Sequence, residues 1–278
     1  MKKIFDEVSL KCSKTTTLAY STSFSLGIKF LDKKFHNPIY SIYGFVRFAD
    51  EIVDTFHEFD KRYLLQKFRS DTYEAIEHKI SLNPVLNSFQ KVVHDYSIER
   101  ELIDTFLNSM EMDLKKQFYN QQLYQQYILG SAEVVGLMCL RVFCEGDNKL
   151  YESLKFPAMK LGAAFQKVNF LRDIKADNMD LGRTYFPEVD LMKFSLADKM
   201  KIEDEIEDDF VKALQGIKCL PMSSRKGVYL AYFYYKKLFL MIKKTPAEKI
   251  LNSRIRIPNL NKIGLMFISL SRCQFNFL

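Results

Sequence analysis

The run AAFQKVNFLRDIKADNMDLGRTYFP, residues 163–187, carries the reading of the fold. Gln166, Asn169, Asp173 and Asp177 follow at spacings of three, four and four, so at about 3.6 residues per turn they share one side of a helix. Apolar Ala163, Ala164, Phe165, Val168, Phe170, Leu171 and Ile174 surround that stripe, and Gly162 leaves space one turn earlier. A merely solvated stripe would read as Lys–Glu pairs. Unpaired carboxylates among apolar neighbours are costly to bury, so a partner is implied.

A second stretch repeats the device. FADEIVD, residues 48–54, sets Asp50 and Asp54 one turn apart, and Tyr43 and Arg47 extend the same face backwards. Carboxylates converging on one cavity repel, and relief of that repulsion is expected to raise the melting temperature when one is removed. A divalent cation resolves the repulsion, and magnesium typically combines one or two carboxylates with water and substrate phosphates. Arg47, Arg172 and Arg183 are superfluous to a metal but suit a diphosphate. The pattern reads as carboxylate, magnesium and diphosphate at the head of a hydrophobic cavity, which fits ionisation of an allylic diphosphate.

The rest of the chain is compatible with this. It has 278 residues, 47% hydrophobic and 14% aromatic, with only 10 glycines and 7 prolines, which favours helices over turn-rich sheets. A net charge of +7 is scattered rather than striped, so no nucleic-acid partner is expected. Five cysteines without a C-x-x-C pair and four histidines without metal spacing suggest reduced core thiols and no zinc. No signal peptide or uninterrupted apolar span is read, so the chain is expected in the cytoplasm, with peripheral attachment to the inner membrane face left open. Helices are expected near 4–20, 38–55, 60–79, 84–95, 99–118, 121–144, 148–177, 195–215, 222–244 and 259–272, with DKKFHNP, residues 32–38, as a loop.

These motifs resemble the squalene/phytoene synthase family, the head-to-head prenyl synthases, nearest to its phytoene synthase branch. The likeness rests on STSFS (21–25), IYGFVRFADEIVD (42–54), YILGSAEVVGLM (127–138) and residues 163–187, and extends from about residue 13 to RIRIPNLNK. It implies one all-α domain over 1–278 of the class I isoprenoid synthase fold, with a central cavity between two aspartate-bearing helices. Asp50, Asp54, Asp173, Asp177 and Asn169 match metal-binding positions, and Gln166 matches a polar neighbour. Arg47 and Arg172 match diphosphate-binding positions. Ser23, Phe24, Tyr43 and Tyr127 match residues lining the reaction centre, and Tyr235 and Arg254 are counterparts of a tyrosine and a phosphate-binding arginine. Glu133 stands where many members have glycine, so it either perturbs the cavity or packs against a base.

The implied reaction is magnesium-dependent condensation of two geranylgeranyl diphosphates to 15-cis-phytoene, with manganese as a substitute metal and no NADPH. The alternative is two farnesyl diphosphates, giving dehydrosqualene or squalene; a non-catalytic assembly factor ranks below both because all four aspartates remain. A di-iron bundle is ranked lower still, for want of Glu-x-x-His pairs. Small Gly136, Gly162 and Ala163 are expected to leave room in the cavity. Oligomeric state is left open.

Overall fold

The first turn of the helix bearing Asp50 shows how local and tertiary signals combine. Asp32 caps it, its carboxylate accepting from the Lys34 N–H at 3.1 Å, and the helix runs Lys33–Asp54. DKKFHNP is therefore helical rather than a loop. Fully buried Phe35, edge-on to Phe143 at 5.6 Å, anchors this turn, and Pro38 sits inside the helix one turn further on, where it cannot donate the usual bond to the carbonyl four residues earlier.

The computed structural model describes residues 1–115, 119–179, 185–187, 194–251 and 255, with the side chains of 175–179 left outside. Among the described residues there are helices and no strands: α1 Lys2–Tyr20, α2 Thr22–Lys29, α3 Lys33–Asp54, α4 Lys61–His78, α5 Pro84–Asp95, α6 Arg100–Met112, α7 Gln121–Ile128, α8 Val134–Cys144, α9 Asn148–Met179, α10 Leu196–Cys219, α11 Met222–Lys243 and the short α12 Ala247–Ile250. The expected helix 259–272 lies outside the described residues.

The expected helix 121–144 is split by a π-helical turn, Leu129–Glu133, between α7 and α8. There Gly130 meets α6 so closely that a Cβ would lie 2.5 Å from that of Ser109. The run Gln121–Cys144 has the length and apolarity of a bilayer span, contrary to expectation, yet 61% of its apolar window is buried. It is a core element.

Two apolar clusters organise the bundle. Phe35, Phe45, Phe89 and Phe106 centre one, built on α3–α6 and α8; Tyr127, Phe170, Phe210 and Phe239 centre the other, on α7 and α9–α11. The 32-residue α9, about 48 Å long, packs along α8 and α10 and is their common spine. Between the clusters lies a cavity of about 230 Å³.

Candidate active site

On α3, spacing places Tyr43, Arg47, Asp50 and Asp54 along one face. Arg47 Nη1 stands 4.0 Å from Asp50 Oδ2, Nη2 is ion-paired to Glu51, and the guanidinium lies 4.3 Å from the Tyr20 ring centroid. Buried Arg47 Nε has no hydrogen-bond acceptor. Burial opposes the charge on Arg47, but the Glu51 hydrogen bond and the field of Asp50 outweigh it and hold its pKa above the usual value. Glu51 is answered in kind: desolvation pushes its carboxyl up, while Arg47 and Thr55 bring it below the usual range. Sequence reading missed Glu51, although its position four residues after Arg47 is the signal for such a pair.

On α9, Arg172 grips Asp173 through two bonds, Nε to Oδ1 at 3.0 Å and Nη2 to Oδ2 at 2.5 Å. One turn earlier, Asn169 Oδ1 accepts from the Tyr235 hydroxyl at 3.4 Å, and the Tyr235 ring stacks on Phe165 at 4.0 Å. Burial raises the pKa of Tyr235 against the opposing field of Arg172. Tyr43, pushed up to about 12 chiefly by burial, also feels Tyr235, Arg47 and Asp50. The two tyrosines thus bring the polar faces of α3 and α9 within electrostatic reach. Asp50, Asp54 and Asp173 are half-buried.

This polar end opens on the apolar cavity. Phe24, 5.2 Å from Tyr43, and Phe165 line it, as do Gln166 and Ser131, which are joined by a 3.3 Å hydrogen bond. Beyond them the wall follows one face of α8 through Val135, Gly136, Cys139, Leu140 and Phe143. The twelve helical steps from Ser131 to Phe143 make a wall of about 18 Å. Leu31, Ile39, Leu154 and Leu220 also contribute to the lining.

Several expected positions fall elsewhere. Tyr127 is buried in the second cluster, donates to Asp113 Oδ2 at 2.6 Å and does not line this cavity, because its ring is enclosed by Tyr119, Phe170 and Tyr185. Ser23 is half-buried on α2 without lining the cavity; its neighbour Ser21 caps α2 at the Phe24 N–H, 3.1 Å. Ala163 is also buried off the cavity, whereas Gly136 and Gly162 line it. The room left by Gly162 is filled by the π turn: a Cβ there would meet Ala132 O at 2.6 Å. Glu133 stays out of the lining, feels Lys160 and Lys167, and has its pKa raised mainly by burial. The Asp177 side chain, Arg183 and Arg254 lie outside the described residues.

A sequence model described as squalene/phytoene synthase matches residues 17–261. The chain belongs to this family. Within the family it is similar to a presqualene diphosphate synthase from Rhodopseudomonas palustris, 27% identical over 182 residues, covering 64% of this chain and 63% of that one. It is also 24% identical over 248 residues to a chloroplastic phytoene synthase from an Oncidium hybrid cultivar, covering 79% of this chain and 57% of that one. The chain thus spans about three-fifths of the length of these family members. A dehydrosqualene synthase crystal structure in complex with a ligand superposes with a TM-score of 0.83 at 19% identity, over 97% of this chain and 98% of that one. The fold is the isoprenoid synthase fold that the family resemblance implied.

Proposed function

We propose that the chain is a magnesium-dependent prenyl synthase that joins two geranylgeranyl diphosphates head to head into 15-cis-phytoene. The observation that carries this reading is the pairing of aspartates and arginines from α3 and α9 at one end of an apolar cavity. Among the described residues no three acid, histidine or cysteine side chains close round one point. That donor set suits magnesium held jointly by Asp50, Asp54, Asp173, Asn169, Asp177 and diphosphate oxygens, rather than by a protein cage. Bound there, the metal supplies charge stabilisation for the leaving diphosphate.

In the first step the C1–O bond of one substrate breaks and diphosphate leaves. The double bond of the second substrate attacks that carbon, and a proton is lost to give a cyclopropylcarbinyl diphosphate. Loss of the second diphosphate, rearrangement and loss of another proton give the hydrocarbon. Arg47 and Arg172 exchange Glu51 and Asp173 for the diphosphates. Phe24, Tyr43 and Phe165 present aromatic faces to the cationic carbons, and the aliphatic wall excludes water. Tyr43, with its pKa near 12, stays a neutral phenol throughout.

The wall on α8 takes a three-unit tail whole and nearly all of a four-unit tail, at roughly 5 Å per isoprene unit. Each further buried methylene-sized group favours the longer tail by about 0.8 kcal/mol. A second reading, farnesyl diphosphate giving presqualene diphosphate, dehydrosqualene or squalene, is supported by the similarity to a presqualene diphosphate synthase. Chromatography of products formed from each diphosphate, with and without NADPH, separates them. The expected outcome is phytoene from geranylgeranyl diphosphate, indifferent to NADPH, abolished by a chelator and restored by magnesium or manganese. Product in excess chelator removes the metal assignment; product from farnesyl diphosphate alone establishes the second reading.

A further inference from the structure

Lys167 interrupts the apolar run around the site residues of α9, yet it does not reach solvent: it is 5% exposed. Its partners lie on α10, in the acidic run EDEIEDDF, residues 203–210, whose composition reads as a solvated helix face. Asp209 of that run is 2% exposed. Lys167 Nζ donates to Asp209 Oδ2 at 2.6 Å and is also ion-paired to Glu205, one turn earlier on α10. The other oxygen of Asp209, Oδ1, is taken by Lys160 Nζ at 3.2 Å. Burial works against the charge on Lys167, but the fields of Asp209 and Glu205 outweigh it and hold its pKa above the usual value. From the π turn, Glu133 lies within the field of Lys160, Asp209 and Lys167.

Lys160 and Lys167 are seven residues apart, so at about 100° per residue they share one edge of α9, about 135° round from Gln166, Asn169 and Asp173. One carboxylate on α10 therefore ties down two turns of α9. Further along this antiparallel crossing, Gly216 lets α10 close on Pro157. From another side Gln166 is bonded to Ser131 of the π turn at 3.3 Å. A buried ion pair adds little net stability, because desolvation offsets the attraction and apolar residues of similar size pack as well. What it adds is geometry. An apolar interface tolerates a small rotation of one helix, whereas a desolvated ammonium held between two carboxylates does not. At about 5–6 Å from the axis, a rotation of about 10° carries the end of a side chain about 1 Å.

We propose that Lys167 and Asp209, supported by Lys160 and Glu205, form a clamp that fixes the rotation of α9, and that they are positioning residues which aim Asn169 and Asp173 at α3. This role rests on the reading of Asn169 and Asp173 given above, as groups that hold magnesium and diphosphate. The clamp touches neither ligand; it acts through the helix that carries them.

The test is titration calorimetry of the full chain with inorganic diphosphate in the presence of magnesium, alongside thermal unfolding and kcat. K167M/D209L exchanges the ion pair for apolar side chains, so it is expected to melt within about 3 °C of wild type. It should nonetheless bind diphosphate at least about tenfold more weakly and turn over at least about tenfold more slowly, a loss that a merely stabilising pair would not produce. D209N keeps the shape of the side chain and removes its charge, and should weaken diphosphate binding at least about threefold. Y124F is the control: Tyr124 is buried within the field of Glu205 and Asp209, its hydroxyl has no hydrogen-bond partner among the described residues, and its loss should leave affinity and rate unchanged. Wild-type affinity and rate in a folded K167M/D209L, or wild-type affinity in D209N should the double variant not fold, overturn the clamp and leave the site reading standing. Failure of the wild-type chain to bind diphosphate with magnesium overturns the site reading, and the clamp with it.

Discussion

Gly162→Ala is the sharpest perturbation of the crossing that positions the α9 site residues. A methyl group there would lie 2.6 Å from Ala132 O and 2.9 Å from Ala132 C, and these are backbone atoms of the π turn that no rotamer change can move. Ordinary contact begins at 3.4 Å, so α9 and the π turn must separate by about 0.8 Å, the difference between 3.4 and 2.6 Å. Overpacking of this kind costs about 1–3 kcal/mol, which at about 2–4 °C per kcal/mol lowers the melting temperature by about 2–12 °C. Gln166, Asn169 and Asp173 follow Gly162 on the same helix at one, two and three turns, so they move with it. A displacement near 1 Å in a positioned site costs up to about a hundredfold in rate. Thermal unfolding and diphosphate release under saturating substrate measure the two effects. Gly27→Ala is the matched control, because its Cβ would face the same cavity at ordinary distances of 3.4 and 3.7 Å. If Gly162→Ala melts within a degree of wild type and turns over normally, the crossing does not constrain the site and the reasoning fails.

Three further predictions follow from the ion pairs and buried hydroxyls. Asp173→Ala strands Arg172, so it should lower stability by about 1–3 kcal/mol, less than a fully buried broken pair, and abolish turnover; this reverses the expectation that relieving repulsion stabilises. Asp208→Ala, whose partner Lys212 is at the surface, is its silent control, and equal melting of the two variants would refute the pairing argument. Glu133→Gln tests a carboxyl whose pKa burial raises above the ordinary 4.5. Such a group favours the fold below its unfolded pKa and loses that contribution as pH rises through the folded one. The variant should therefore out-melt wild type at about pH 7 and match it near pH 3–4; an unchanged difference across that range would refute it. Tyr127→Phe should cost about 1–2 kcal/mol through Asp113 while leaving kcat nearly intact; a large fall in kcat without a stability change would return Tyr127 to the reaction centre.

The order of the helices and the two carboxylate faces were legible in the sequence because both are local facts. Periodicity of about 3.6 residues places Gln166, Asn169 and Asp173 together whatever surrounds them, and the family motifs identify which helices face one another. Side-chain partnerships across elements were not legible. Tyr20 covers Arg47, Phe165 stacks on Tyr235, and Tyr127 turns from the cavity to Asp113, because packing between clusters selects among orientations that local pattern leaves equal. The same holds for the π turn, where Gly130 and Gly162 allow backbones to approach more closely than any periodicity signals. It holds most of all for α1, where the sequence marks a helix but not the face it buries. Small Ser9, Ser13 and Thr17 fit the close approach to α3 and α5, and Ile4, Val8 and Leu18 are thereby left facing outward.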